Sequence, residues 1–67
     1  MKVFSERLKE LRNENRLSQV QLANLTGLSK SAIAFWEEGL RIPNAQAIVV
    51  LAKFFKVSAD YLLGLCD

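Results

Sequence analysis

Very few side chains in this sequence could make or break a covalent bond. There is no histidine, Cys66 is the single thiol, and seven carboxylates stand among nine lysines and arginines. A structural zinc site needs several Cys or His ligands and a disulfide needs a second cysteine, so neither is expected. The sequence has no glycine-rich phosphate loop and no paired carboxylates in a deducible cleft, and 67 residues leave little room for a substrate pocket. It therefore reads as non-enzymatic, with no cofactor and no metal. What remains is recognition chemistry, and its best candidates lie from Lys30 to Glu38. On a helix turning about 100° per residue, with Lys30 at zero, Ala34, Glu38, Ser31 and Phe35 span roughly 40 to 140°, whereas Ala32, Trp36 and Ile33 span roughly 200 to 300°. The second set is a core face and the first points outward. Lys30 could donate to guanine O6 and N7, Ser31 suits a base or a phosphate, and Ala34 or Phe35 could meet thymine methyls. Glu38 is the misfit, since a carboxylate repels phosphate unless it accepts from a cytosine amine. Arg41, in the loop Leu40-Arg41-Ile42-Pro43 just beyond, is the best candidate for a phosphate anchor.

Such a surface needs elements to hold it, and the sequence marks them clearly. A small polar cap, preceded by an apolar residue and followed by another at the fourth helical position, signals a helix start. Ser18 stands between Leu17 and Leu22, Ser29 between Leu28 and Ile33, Asn44 between Pro43 and Ile48, and Ser58 between Val57 and Leu62. Gln21, three residues after Ser18, completes a capping box. Gly27, Gly39 and Gly64 fall where helices must stop. Phe4, Leu8 and Leu11 add an earlier helix, expected from about Val3 to Asn15. No segment alternates apolar and polar residues between turn signals, so the fold class is all-α with five helices. Arg16 and Lys56 stand where glycine or asparagine is usual, and a left-handed conformation at either would cost on the order of 1 kcal/mol.

The second and third helices, Gln19 to Thr26 and Lys30 to Glu38, are separated only by Gly27, Leu28 and the cap Ser29. That is a helix-turn-helix. Helices crossing steeply over so short a turn need a small residue at their contact, here Ala23, and a branched apolar plug, here Ile33.

From Glu6 to Gly64 the sequence resembles the phage-repressor and Cro-type helix-turn-helix family. The resemblance is carried by Arg7-Leu8-Lys9-Glu10-Leu11-Arg12, Leu17-Ser18-Gln19 with Leu22-Ala23, Gly27-Leu28-Ser29, Ile33 with Trp36-Glu37, and Val57-Ser58-Ala59-Asp60-Tyr61-Leu62-Leu63-Gly64. It implies a five-helix, lambda-repressor-like DNA-binding domain over residues 1–67, dimeric, with its third helix in the major groove of an operator. It also implies Lys30, Ser31, Ala34 and Phe35 as base readers, and Gln19 and Asn44 beside Arg41 as phosphate contacts. Arg12 and Glu37 resemble the family's internal ion pair. Family dimers commonly pair through the last helix, which here carries Tyr61, Leu63 and Leu65. A transcriptional repressor is the expected activity. The alternative is a protein-interaction module, such as an antitoxin, in which Phe35 and the C-terminal leucines contact a toxin.

Composition bounds these expectations. With 51% apolar residues the chain can form a core, though a domain this short buries only about 60% of its unfolded surface. The longest apolar run, Ala47 to Ala52, falls far short of the roughly 20 residues a membrane helix needs. Met1-Lys2-Val3-Phe4-Ser5-Glu6 meets charge before a signal-peptide core could form, so a cytoplasmic, membrane-free protein is expected. The net charge of +2 is supplied by residues 1 to 16, where Lys2, Arg7, Lys9, Arg12 and Arg16 outnumber Glu6, Glu10 and Glu14. This excess could face an anionic partner or form an ordinary solvated helix face. Cys66, next to the end, reads as frayed or as a minor interface contact.

Overall fold

Four of the five helices start where small polar residues place them. In the structure, a computed structural model that describes residues 1–66, the five are α1 (Lys2–Glu14), α2 (Gln19–Thr26), α3 (Lys30–Glu37), α4 (Ala45–Phe55) and α5 (Ala59–Leu63). The side chains of Ser18, Ser29, Asn44 and Ser58 accept hydrogen bonds from the backbone N–H of Gln21, Ala32, Ala47 and Tyr61. Each bond satisfies a donor that the helix itself leaves orphaned. Gln21 Oε1 accepts in return from the Ser18 N–H at 2.8 Å, closing the capping box. Only α1 starts without a side-chain cap, and it begins one residue before the expected Val3 and ends one before Asn15. The third helix also ends one residue early, with Glu38 as its C-cap.

Four of the five described helix ends, all but that of α2, share one solution. After α1, Leu17 N–H reaches back to the Arg12 carbonyl and Arg16 N–H to that of Asn13. Val57 with Ala52 and Lys56 with Lys53 repeat the pattern after α4. These paired bonds form a Schellman stop, which puts its turning residue in the left-handed region. Arg16 (φ +56°) and Lys56 (φ +58°) hold that place in spite of their Cβ atoms. The energy of the two backbone bonds outweighs a penalty on the order of 1 kcal/mol.

Helix α1 packs against α3 and α5, α2 against α3 and α4, and α4 against α5. Phe4, Leu8 and Leu11 from α1 meet Leu22 and Ala23, Ile33 and Trp36, Ala47, Leu51 and Ala52, and Leu62 in one core. Phe4 and Trp36 meet edge to face with centroids 6.3 Å apart, so Trp36 is a core residue rather than a surface for base stacking. Phe54 and Phe55, adjacent at the end of α4, are both half-buried, packed on the core's edge and edge to face against each other with centroids 5.0 Å apart. No described helix is long and apolar enough to cross a membrane.

Candidate nucleic-acid interface

The turn between α2 and α3 is built for reversal. Gly27 sits at φ +77° with its N–H donating to the Ala23 carbonyl at 2.9 Å. A Cβ there would meet nothing within 4 Å, so the glycine serves the backbone conformation and not close packing. Ala23 and Ile33 are buried on either side. Thr26 adds a local brace, its Oγ1 donating to the Leu22 carbonyl and accepting from the Leu28 N–H.

This frame fixes which side of α3 looks out. Ile33, Trp36 and Glu37 are buried and Ala32 packs on the core, whereas Lys30, Ser31 and Phe35 are exposed and Ala34 is half-buried. Lys30, Ser31, Ala34 and Phe35 therefore form one continuous outward stripe beginning at the N-terminus of α3. Glu38 is exposed at the far end of the helix, past its last turn, and lines a shallow depression with Lys2, Glu6, Lys9 and Glu10 of α1; it pairs with neither lysine, since the one ion pair among the described residues is Arg12 with Glu37.

Behind the stripe, α3 is held by its one buried charge. Glu37 is 6% exposed, and its carboxylate accepts from Arg12 Nε at 2.6 Å and Nη2 at 2.9 Å. Arg12 Nη1 also donates to the Leu17 carbonyl, and Gln19 Nε2 donates to Glu37 Oε1 at 3.2 Å. One carboxylate thus ties α1, α2 and α3 together. Hydrogen bonding to Glu37, with its charge in support, holds the Arg12 guanidinium above its ordinary range against the opposing effect of burial. Because the folded value is the raised one, deprotonation of Arg12 removes this stabilisation only far into the alkaline range.

The three phosphate candidates differ in what they have free. Gln19 is half-buried with one amide hydrogen already given to Glu37. Asn44 uses its Oδ1 to cap α4, which leaves its exposed amide nitrogen as a donor. Arg41 is exposed, and its guanidinium carbon lies 5.0 Å from the centroid of the Phe35 ring. Among the described residues it makes no ion pair, since the one pair is Arg12 with Glu37.

The expected basic end of the chain is altered by packing. Of its five cations, Arg12 is consumed by Glu37, and Arg7 folds inward over the Tyr61 ring at 4.2 Å. Arg7 Nη1 donates to the carbonyls of Tyr61 and Cys66, the latter at 2.9 Å. Sequence reasoning missed this clamp, which joins residues 54 positions apart. Tyr61 and Leu63 are half-buried on α5, whereas Leu65, expected on the last helix, lies past the left-handed Gly64 that ends it and is 73% exposed. Cys66 is a free, exposed thiol with Sγ 4.0 Å from Ser58 Oγ.

Known proteins share this arrangement. The HTH-type transcriptional regulator YobD of Bacillus subtilis (strain 168) is 37% identical over 65 residues, covering 97% of this chain and 58% of that protein. The HTH-type transcriptional activator BcrR of Enterococcus faecalis is 42% identical over 61 residues, 91% of this chain and 30% of that protein. The chain thus spans about half the length of these curated relatives, or less. The crystal structure of the P22 c2 repressor in complex with synthetic operator 9T superposes with a TM-score of 0.84 at 31% identity, covering 92% of this chain and 94% of that one. A helix-turn-helix family model matches residues 8–62. With its sequence matched over most of its length and its helices superposing on a repressor, the chain belongs to the helix-turn-helix family of phage-repressor and Cro type.

Proposed function

We propose that this chain binds duplex DNA sequence-specifically through the outward stripe of α3, and that it represses transcription in the cytoplasm by occupying its operator. The observation that carries the reading is the stripe itself: Lys30, Ser31, Ala34 and Phe35 face out from a helix whose other side is locked in the core. An exposed helix on a short, rigid turn is what the major groove admits. Lys30 reads a guanine edge, and Ser31 and Ala34 follow along the groove. Arg41, Asn44 and Gln19 flank the stripe and hold the backbone, with Arg41 the freest of the three. Occupancy alone blocks a promoter, so repression requires nothing beyond this interface; the P22 c2 repressor supports that direction.

Two copies would pair through Tyr61, Leu63 and the exposed Leu65, presenting two α3 helices to half-sites about 34 Å apart. Neither the described residues nor the relatives named above support the antitoxin reading with a toxin partner. The test is a titration with duplex selected from a random pool, repeated across salt concentrations. Binding should weaken steeply with salt through counterion release, with two chains per site. A flat salt dependence, or no preference for any selected sequence, would sink the reading.

A further inference from the structure

The last turn of α3 brings together two residues that were expected to act separately. Leu40 N–H donates to the Phe35 carbonyl at 2.9 Å and Gly39 N–H to the Trp36 carbonyl at 3.1 Å, with Gly39 at φ +76°. This is again a Schellman stop, and it folds the chain back across the end of the helix. Arg41 therefore lands beside Phe35, its guanidinium 5.0 Å from the ring centroid, within the roughly 6 Å reach of a cation–π contact. The loop supplies no other anchor before the buried Pro43, since Leu40 is 66% and Ile42 74% exposed. Among the described residues no carboxylate or carbonyl takes the Arg41 donors, whereas Arg7 and Arg12 both have such partners.

We propose that Phe35 is a positioning residue for Arg41: its ring holds the guanidinium beside the reading helix, ready for a DNA phosphate, and Phe35 adds affinity through Arg41 without reading a base. The proposal rests on the DNA-binding reading above and refines it. A stacked guanidinium keeps its N–H donors at its edge, in plane, where they can grip two phosphate oxygens at once. Stacking in the free protein also removes in advance part of the side-chain freedom that binding would otherwise cost. Covered on one face by Arg41, the Phe35 ring has less surface to offer a thymine methyl.

A double-mutant cycle on a selected duplex tests this, with Phe35→Leu keeping apolar bulk but no ring and Phe35→Trp keeping a ring. Phe35→Leu should weaken binding about two- to fivefold in the wild-type background and leave it unchanged in the Arg41→Ala background. Phe35→Trp should bind within about twofold of wild type. Base preferences should be the same in all variants, and only Arg41→Ala should lower the log–log salt slope, by about 0.9. Additive losses from the two single changes, or an altered preference at one base pair in Phe35→Leu, would overturn the proposal. In the DNA-free protein, the ring should shift the Arg41 side-chain proton resonances upfield, and Phe35→Leu should abolish that shift. Absence of the shift in the wild type would refute the stack itself. A stacked wild type that binds no duplex would instead refute the DNA reading, and the role of the stack with it.

Discussion

Two arginines of this molecule lie over aromatic rings, and their remaining donors meet opposite fates. Arg7, between α1 and the C-terminal turn, covers Tyr61 and gives Nη1 to the carbonyls of Tyr61 and Cys66. Arg41, after α3, covers Phe35 and has no protein acceptor among the described residues. The first is a closed contact in which ring, carbonyls and cation satisfy one another, so it holds the fold. The second leaves its donors without a protein acceptor among the described residues, which is what the phosphate contact proposed above requires. Arg12 is the extreme of the closed kind, half-buried itself, paired with the buried Glu37 and bonded to the Leu17 carbonyl.

Breaking the closed contacts should damage folding in proportion to burial. Arg12→Ala leaves the Glu37 carboxylate buried without its cation, which costs about 3–5 kcal/mol. A domain of this length holds on the order of 3–10 kcal/mol in all, so thermal melting should show a midpoint lowered by more than about 10 °C or a chain already unfolded. The double change Arg12→Leu with Glu37→Leu should recover most of that loss, because an apolar pair does not carry the desolvation penalty. Arg7→Met keeps the apolar stem over Tyr61 but removes the cation and its carbonyl bonds; melting should register about 1–2 kcal/mol, with duplex base preference unchanged. The smallest effect on stability should come from the open contact. Arg41→Ala should move the melting free energy by no more than about 0.5 kcal/mol, as expected of an exposed residue outside any network. A loss as large as that of Arg7→Met would erase the distinction between the two arginines.

Much of this arrangement is legible in the sequence, for local reasons. Ser18, Ser29, Asn44 and Ser58 fix helix starts because each cap bond spans three residues and needs no tertiary partner. The inward and outward sides of α3 follow from the helical period, with Ile33 and Trp36 going to the core and Lys30, Ser31 and Phe35 to the surface. The Arg7 clamp leaves no such mark, since its partners come from the opposite end of the chain and no periodicity announces them. Counting charge over residues 1 to 16 likewise overstates the basic face, because the count is blind to Arg7 and Arg12 turning inward. The Phe35–Arg41 contact lies between these cases. Gly39 signals the helix stop, and a Schellman reversal there returns a residue two positions on toward the last turn of α3. Read together, the glycine and the arginine could have located the stack.

The central claim is that Lys30, Ser31 and Ala34 on the exposed stripe of α3 read bases while Arg41 in the loop beyond it holds the backbone. The most direct measurement is to select bound duplexes from a random pool with wild type, Lys30→Ala and Arg41→Ala, and to compare the three preference profiles. Lys30→Ala should lose discrimination at one base pair per half-site, about 1–3 kcal/mol there, with the other positions intact. Arg41→Ala should return the wild-type profile at uniformly lower affinity. Two variants with identical profiles, or a wild type that selects no sequence at all, would contradict the account.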